Sequence, residues 1–119
     1  MFNNALLADD DATINYIVEK AVSNASLAKN IIITDDRLEQ VDILKHSTVD
    51  LLVVDLKNGG SRIIELARKK HPNIKILCFS GSVNENVERI VRESGANDFL
   101  AKPAGIGEIT EKIKNLQIK

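Results

Sequence analysis

The sequence Leu51-Leu52-Val53-Val54 is four branched apolar residues in a row, and it stops abruptly on Asp55. Strands with one wet face alternate apolar and polar residues. An uninterrupted apolar run fits a strand buried on both faces, as in a parallel sheet with helices above and below. In such open sheets ligands bind in the crevice beyond the carboxyl ends of the strands. A carboxylate placed there makes Asp55 the leading candidate for chemistry.

The remaining chain supplies the partners such a strand needs. Ala5 to Ala8 reads as a short first strand ended by Asp9-Asp10-Asp11, with Asp10 or Asp11 placed to cap a helix carrying Ile14, Ile17, Val18, Ala21 and Val22. Asn30 to Thr34 is a second strand. Asp36 and Glu39 resemble a capping pair for a helix lined by Leu38, Val41 and Leu44. After the central strand, Asn58-Gly59-Gly60 is a permissive loop, Ser61 is placed to cap a helix through Ile63, Leu66 and Ala67, and His71-Pro72 ends it. Ile74 to Phe79 is a fourth strand closed by Ser80-Gly81. Ser82 and Glu85 form a capping box for a helix carrying Val83, Val87, Ile90 and Val91, closed by Gly95. Asp98 to Leu100 is a fifth strand running into Lys102-Pro103, and Ile106, Ile109, Ile113 and Leu116 line a last helix. Five strands alternating with five helices predict a three-layer α/β sandwich with right-handed crossovers.

A chain of 119 residues is one domain, able to bury about two-thirds of its unfolded surface without staples. A formal net charge of −1 gives no nucleic-acid footprint. The basic clusters, Arg68-Lys69-Lys70 among them, fall at predicted helix ends, where they answer the helix dipole. The single Cys78 lies in an apolar run and reads as core; it has no internal disulfide partner. No signal peptide, spanning segment or lipidation motif is evident, so the chain reads as cytoplasmic.

The residues that interrupt the pattern fall just after strands one, three, four and five: Asp9 and Asp10, Asp55, Ser80, and Lys102. Taken singly, each is an ordinary cap or turn. In a parallel sheet, however, all these ends share one edge. If strands one and three are neighbours, three carboxylates converge and require a cation. Carboxylate oxygens beside a backbone carbonyl and water suit Mg²⁺. With a lysine and a hydroxyl nearby, the set fits phosphoryl transfer, where catalysis is positioning and charge neutralisation.

In that order and at those strand ends, Asp9-Asp10, Asp55, Ser80 and Lys102-Pro103 resemble the signature of the receiver domain of two-component response regulators. The resemblance covers essentially the whole chain. It implies a single receiver domain, residues 1–119, with a flavodoxin-like doubly wound sheet of order 2-1-3-4-5. It also implies that Asp55 accepts a phosphoryl group. Asp10, Asp55 and the Lys57 carbonyl would ligate Mg²⁺, with Asp9 acting through metal-bound water. Ser80 would bond a phosphoryl oxygen, Lys102 would pair with its charge, and Phe99 would be the aromatic switch. The Lys102–Pro103 peptide would be cis. The donor would be a sensor histidine kinase or phosphotransfer protein, and the recipient a downstream effector domain or protein. Direct nucleic-acid binding and membrane association are not implied, and homodimerisation stays open. Such a domain catalyses its own phosphorylation and dephosphorylation rather than turning over a substrate.

The chain also departs from the pattern. Receivers usually carry Met-Pro shortly after the acceptor, whereas here Lys57-Asn58-Gly59-Gly60 forms a loop that reads about two residues shorter. Ala104 replaces a bulky residue, and Gly81 follows Ser80. The altered loop keeps a rival in play, an interaction module that signals without phosphorylation. A small Mg²⁺-dependent phosphatase is a third class. No effector segment follows Leu116, which fits either a free-standing receiver or a piece of a larger regulator or hybrid kinase.

Overall fold

The computed structural model describes residues 1–81 and 84–117. In chain order it contains β1 (Phe2–Ala8), α1 (Ala12–Asn24), β2 (Ala28–Ile33), α2 (Arg37–His46), β3 (Leu51–Asp55), α3 (Gly60–Lys70), β4 (Lys75–Ser80), α4 (Glu85–Ser94), β5 (Asp98–Ala101) and α5 (Ile106–Gln117). The strands form one parallel sheet of order β2-β1-β3-β4-β5. This is the three-layer sandwich that the residue pattern predicts, with the doubly wound, flavodoxin-like strand order that the receiver resemblance implies.

Alternation along each strand splits the core into two layers. Leu7, Leu51, Val53, Leu77 and Phe79 face α1 and α5, packing on Val18, Val22, Ile109, Ile113 and Leu116. Leu6, Leu52, Val54, Ile76 and Cys78 face the other way, onto Leu44, Ile63, Ile64, Ala67 and Val91 of α2, α3 and α4. Every residue of β3 is buried, as its unbroken apolar run requires. The edge strand β2 has no buried residue.

Several local features differ from the sequence reading, each for a visible reason. β1 starts at Phe2 rather than Ala5, because the Asp50 carboxylate accepts the N–H groups of Asn3 (2.7 Å) and Asn4 (2.8 Å), so polar residues join the strand. Ser61 does not cap α3. The N-cap is Gly59, and Asn58 and Gly59 both take left-handed backbone (φ 54° and 88°) that turns the chain straight into the helix. Asp36 caps α2 by accepting from the Leu38 N–H, but Leu38 itself is 82% exposed, since the inward face of α2 belongs to Gln40 and Leu44. Ile90 and Ile106, expected to line their helices, are exposed, and only Val91 is buried among the described residues of α4. The expected cap Ser82 and core residue Val83 lie outside the described residues; Asn84 is the N-cap, accepting from the Val87 N–H at 3.0 Å. Arg68 does more than answer a dipole: its guanidinium donates to the carbonyls of Pro72, Ile74 and Gly95 and to Asn97 Oδ1, tying α3 to the amino-terminal edge of β4 and β5. Among the described residues no helix is long and apolar enough to cross a membrane.

Candidate functional site

Strand register brings the polar residues together. Ala8 pairs with Val54, so Asp9 leaves β1 beside the end of β3 at Asp55. Asp55 pairs with Phe79, and Ser80 pairs with Ala101, so Ser80 and Lys102 emerge on the same edge. The Lys102 N–H donates to the Ser80 carbonyl at 2.9 Å.

Asp9, Asp10 and Asp55 each place a carboxylate oxygen within 4.8 Å of the others. Asp55 is fully buried (0% exposed), Asp9 is buried, and Asp10 is exposed at the mouth. Among the described residues, no hydrogen bond of good geometry reaches either Asp55 carboxylate oxygen or Asp9 Oδ2. They are held by charge instead: the Lys102 ammonium lies 3.0 Å from Asp9 Oδ2 and 3.3 Å from Asp55 Oδ1. Burial raises the Asp9 carboxyl above its ordinary value, against the Asp11 N–H and Lys102, which favour its charge. Burial by itself would lower the Lys102 ammonium, but Asp9 and Asp55 outweigh it and the net shift is upward. Asp10 is lowered, chiefly because the Asn58 side-chain amide donates to Asp10 Oδ2 at 2.8 Å.

Three carboxylates face one ammonium at ion-pair distance, with the Arg37 guanidinium nearby but committed to backbone carbonyls. Two acids 4.8 Å apart repel by about 3.5 kcal/mol at an effective dielectric of ~20. Hard oxygens, with Asp9 Oδ2 and both Asp55 oxygens buried and lacking hydrogen-bond donors among the described residues, fit a small divalent cation such as Mg²⁺. The Lys57 carbonyl is on the same loop, and Lys57 itself is exposed. Ser80 is buried, and the Lys102–Pro103 peptide is cis. Phe99, one strand away, is half-buried against the α3–α4 side of the core, and the Arg92 guanidinium of α4 lies 5.8 Å from its ring centroid.

The structure also brings in residues that the sequence reading passed over. Asn15, inside α1, donates to the Asp9 carbonyl at 2.8 Å and accepts the Asp9 N–H at 3.1 Å, fixing the backbone that carries the acid. Arg37, at the start of α2, donates to the carbonyls of Ala8, Asp55, Lys57 and Asn58 and to Gln40 Oε1. A signal for the second was available: Gln40 sits on the same face as Leu44, and a polar residue on a core-facing position needs a partner, with Arg37 one turn before it. Nothing comparable marked Asn15, whose partner is a backbone group.

Residues 5–114 match the family model described as "Response regulator receiver domain". The regulatory protein VirG of Agrobacterium tumefaciens (strain 15955) is 30% identical over 114 residues, covering 93% of this chain and 42% of VirG. The chain thus spans under half the length of that relative. A response regulator from Thermotoga maritima superposes with a TM-score of 0.89 at 20% identity, covering 100% of both chains. A CheY-like receiver domain protein from Methanospirillum hungatei JF-1 gives 0.86 at 21% identity, covering 99% of this chain and 96% of that one. With an acidic pocket on the strand ends and a family match over nearly its full length, this chain belongs to the response regulator receiver domain family of two-component systems.

Proposed function

We propose that this receiver takes a phosphoryl group onto Asp55 and that the added charge resets its α4-β5-α5 surface. The observation that carries the reading is Asp55 itself: a fully buried carboxylate, both oxygens without hydrogen-bond donors among the described residues, with an ammonium at 3.3 Å and two more acids alongside. Such a carboxylate is held for chemistry rather than for stability.

An Asp55 oxygen attacks the phosphorus of a phosphohistidine on a sensor kinase or phosphotransfer protein. The new O–P bond forms as the N–P bond breaks, and the imidazole nitrogen leaves with the electron pair. Asp10, Asp55 and the Lys57 carbonyl are the groups to hold Mg²⁺, with Asp9 nearby; a bound ion supplies charge neutralisation at the phosphoryl oxygens. Lys102 keeps its proton and pairs with the phosphoryl charge. The Ser80 hydroxyl donates to a phosphoryl oxygen. Hydrolysis by water later returns the free carboxylate, so the domain turns over its own acyl phosphate and no separate substrate.

The readout follows from where these groups attach. Ser80 ends β4 ahead of α4, and Lys102 follows β5 ahead of α5. Phe99 lies between them on β5, against Arg92, while Asp98 pairs with Arg92 of α4 (3.6 Å) and Lys112 of α5 (3.2 Å). Drawing Ser80 and Lys102 inward strains this set and shifts the population toward a second packing with Phe99 turned in. A downstream effector domain or protein reads that surface, and a second copy of the chain is a further candidate for it. The setting is cytoplasmic.

Incubation with a small phosphodonor and Mg²⁺ tests the reading. One phosphoryl mass should appear on the wild type and not on Asp55→Asn, and an unmodified wild type would overturn it. A phosphorylation-independent interaction module is the second reading, favoured by the engagement of the Lys57 carbonyl and Asp10 with Arg37 and Asn58. Full cellular activity of Asp55→Asn would select it.

A further inference from the structure

Arg37 has five N–H donors, and each has an acceptor. Nε donates to the Asn58 carbonyl (3.1 Å), one terminal nitrogen to the Ala8 carbonyl (2.9 Å) and Gln40 Oε1 (2.7 Å), and the other to the carbonyls of Asp55 (3.0 Å) and Lys57 (2.7 Å). A guanidinium whose donors are all used is a fixed charge. Gln40 is itself held, donating to the Thr34 carbonyl at 2.9 Å, so the clamp is anchored to buried Thr34, the residue after β2. On the far side of the same loop, Asn58 donates to Asp10 Oδ2.

Two of the oxygens that a divalent ion would use, the Lys57 carbonyl and Asp10 Oδ2, are therefore already bonded by Arg37 and Asn58. Asn58 lies on the short loop after Asp55 that lacks Met-Pro, and Arg37 reaches the same loop from the start of α2. We propose that Arg37, acting with Asn58, is an internal stand-in for the divalent ion: it holds the acceptor loop in the ion-free protein, gives up the Lys57 carbonyl when the ion enters, and so sets how much ion the site requires. The proposal rests on the reading of the acidic pocket as a Mg²⁺-dependent phosphoryl-accepting site. In that setting Arg37 is a positioning residue. Its charge opposes a second cation, and its hydrogen bonds compete for one of that cation's oxygens.

The test is a Mg²⁺ titration of the wild-type chain, Arg37→Met and Arg37→Lys at constant ionic strength, read by calorimetry and by NMR of the Lys57 carbonyl carbon and the Arg37 side-chain nitrogens. In the wild type the Arg37 Nη and Lys57 carbonyl signals should move together, with the midpoint of the amides around Asp55. Arg37→Met should bind Mg²⁺ on the order of tenfold more tightly, the effect of removing one nearby like charge. Arg37→Lys, which keeps the charge but cannot span the carbonyls, should fall between the two. Arg37 signals that stay put at saturation, or an affinity unchanged or weakened in Arg37→Met, would overturn the proposal. The wild-type spectra decide the matter even if a variant melts. No Mg²⁺ response in any of the three proteins would remove the phosphoryl-site reading as well, whereas normal wild-type binding with unaltered Arg37→Met affinity would remove only this inference.

Discussion

Asn15 and Asp9 are joined by a reciprocal pair of hydrogen bonds, side-chain amide to backbone carbonyl at 2.8 Å and backbone N–H to side-chain oxygen at 3.1 Å. The pair is buried and locks the chain where it leaves β1 for α1, so that Asp9 faces Asp55 rather than solvent. Asn15→Ala deprives two buried backbone groups of their partners and should cost about 2 kcal/mol. It should also weaken Mg²⁺ binding. Denaturant midpoints and a Mg²⁺ titration check both, and an unaltered midpoint would show that water replaces the amide without loss.

Asp55→Asn should stabilise the ion-free protein. Two neighbouring acids within 4.8 Å each oppose the Asp55 charge by about 3.5 kcal/mol, and Lys102 at 3.3 Å returns about 5 kcal/mol, both at an effective dielectric of ~20. Attraction and repulsion nearly cancel once the exposure of Asp10 and the Arg37 guanidinium are counted, so burial of the charge decides the sign. A gain of about 1–2 kcal/mol is expected at low ionic strength without Mg²⁺. Adding Mg²⁺ to ten times its dissociation constant should raise the wild type by about 1.4 kcal/mol and close much of the gap. Thermal melts with and without Mg²⁺ measure both. A variant less stable than the ion-free wild type would contradict this balance of charges.

Gly60 opens α3 directly beneath the Asp55 carbonyl, and a Cβ there would overlap that backbone oxygen. Gly60→Ala must therefore push the loop away from β3 and disturb the Arg37 clamp, which shares the Asp55 carbonyl. A loss of about 1–3 kcal/mol is expected, the usual cost of overpacking. By contrast, a Cβ at Gly81, after Ser80, meets nothing nearby among the described residues, and Gly81→Ala should leave the melting temperature close to that of the wild type. Equal melting temperatures for the two variants would refute the contact.

Cys78 is fully buried, and burial, with the Asp55 charge adding to it, pushes its thiol up from 9.0 to about 12. A folded-state pKa above the unfolded one gives stability that is complete below pH 9.0 and is lost as pH rises toward 12. Across that window the unfolded thiol ionises and the folded one does not, so this residue contributes a decline of about 1.4 kcal/mol per pH unit. Cys78→Ala should flatten the alkaline limb of the stability curve by that slope, measured by urea unfolding between pH 9 and 11 (about the span of the window). Identical alkaline limbs would mean the thiol does not carry the effect. Thiol reagents at pH 8, a unit below the ordinary thiol value, should likewise modify only unfolded chains.

Much of this architecture can be read from residue order alone. The unbroken Leu51–Val54 run calls for a strand covered on both sides, and the capping residues Asp11 and Asp36 and the C-terminal Gly95 mark helix ends through backbone groups close by in the chain. These are local signals: periodicity and caps act over a few residues, so they survive in one dimension. The same locality explains the errors. Leu38 and Ile90 satisfy a helical pattern yet remain exposed, because which part of a helix is covered depends on the neighbour it meets.

From its order of residues the chain determines which groups end its strands, and with them the acids, hydroxyl and amine of the pocket. Only tertiary structure decides that Asn15 grips Asp9, that Asp50 stitches polar Asn3 and Asn4 into β1, and that Arg37 reaches four carbonyls from two other segments. The physical reason is the partner. Backbone N–H and carbonyl groups are the same at every position, so a side chain that bonds to them leaves no pattern in the sequence, and the pairing exists only once the chain has folded.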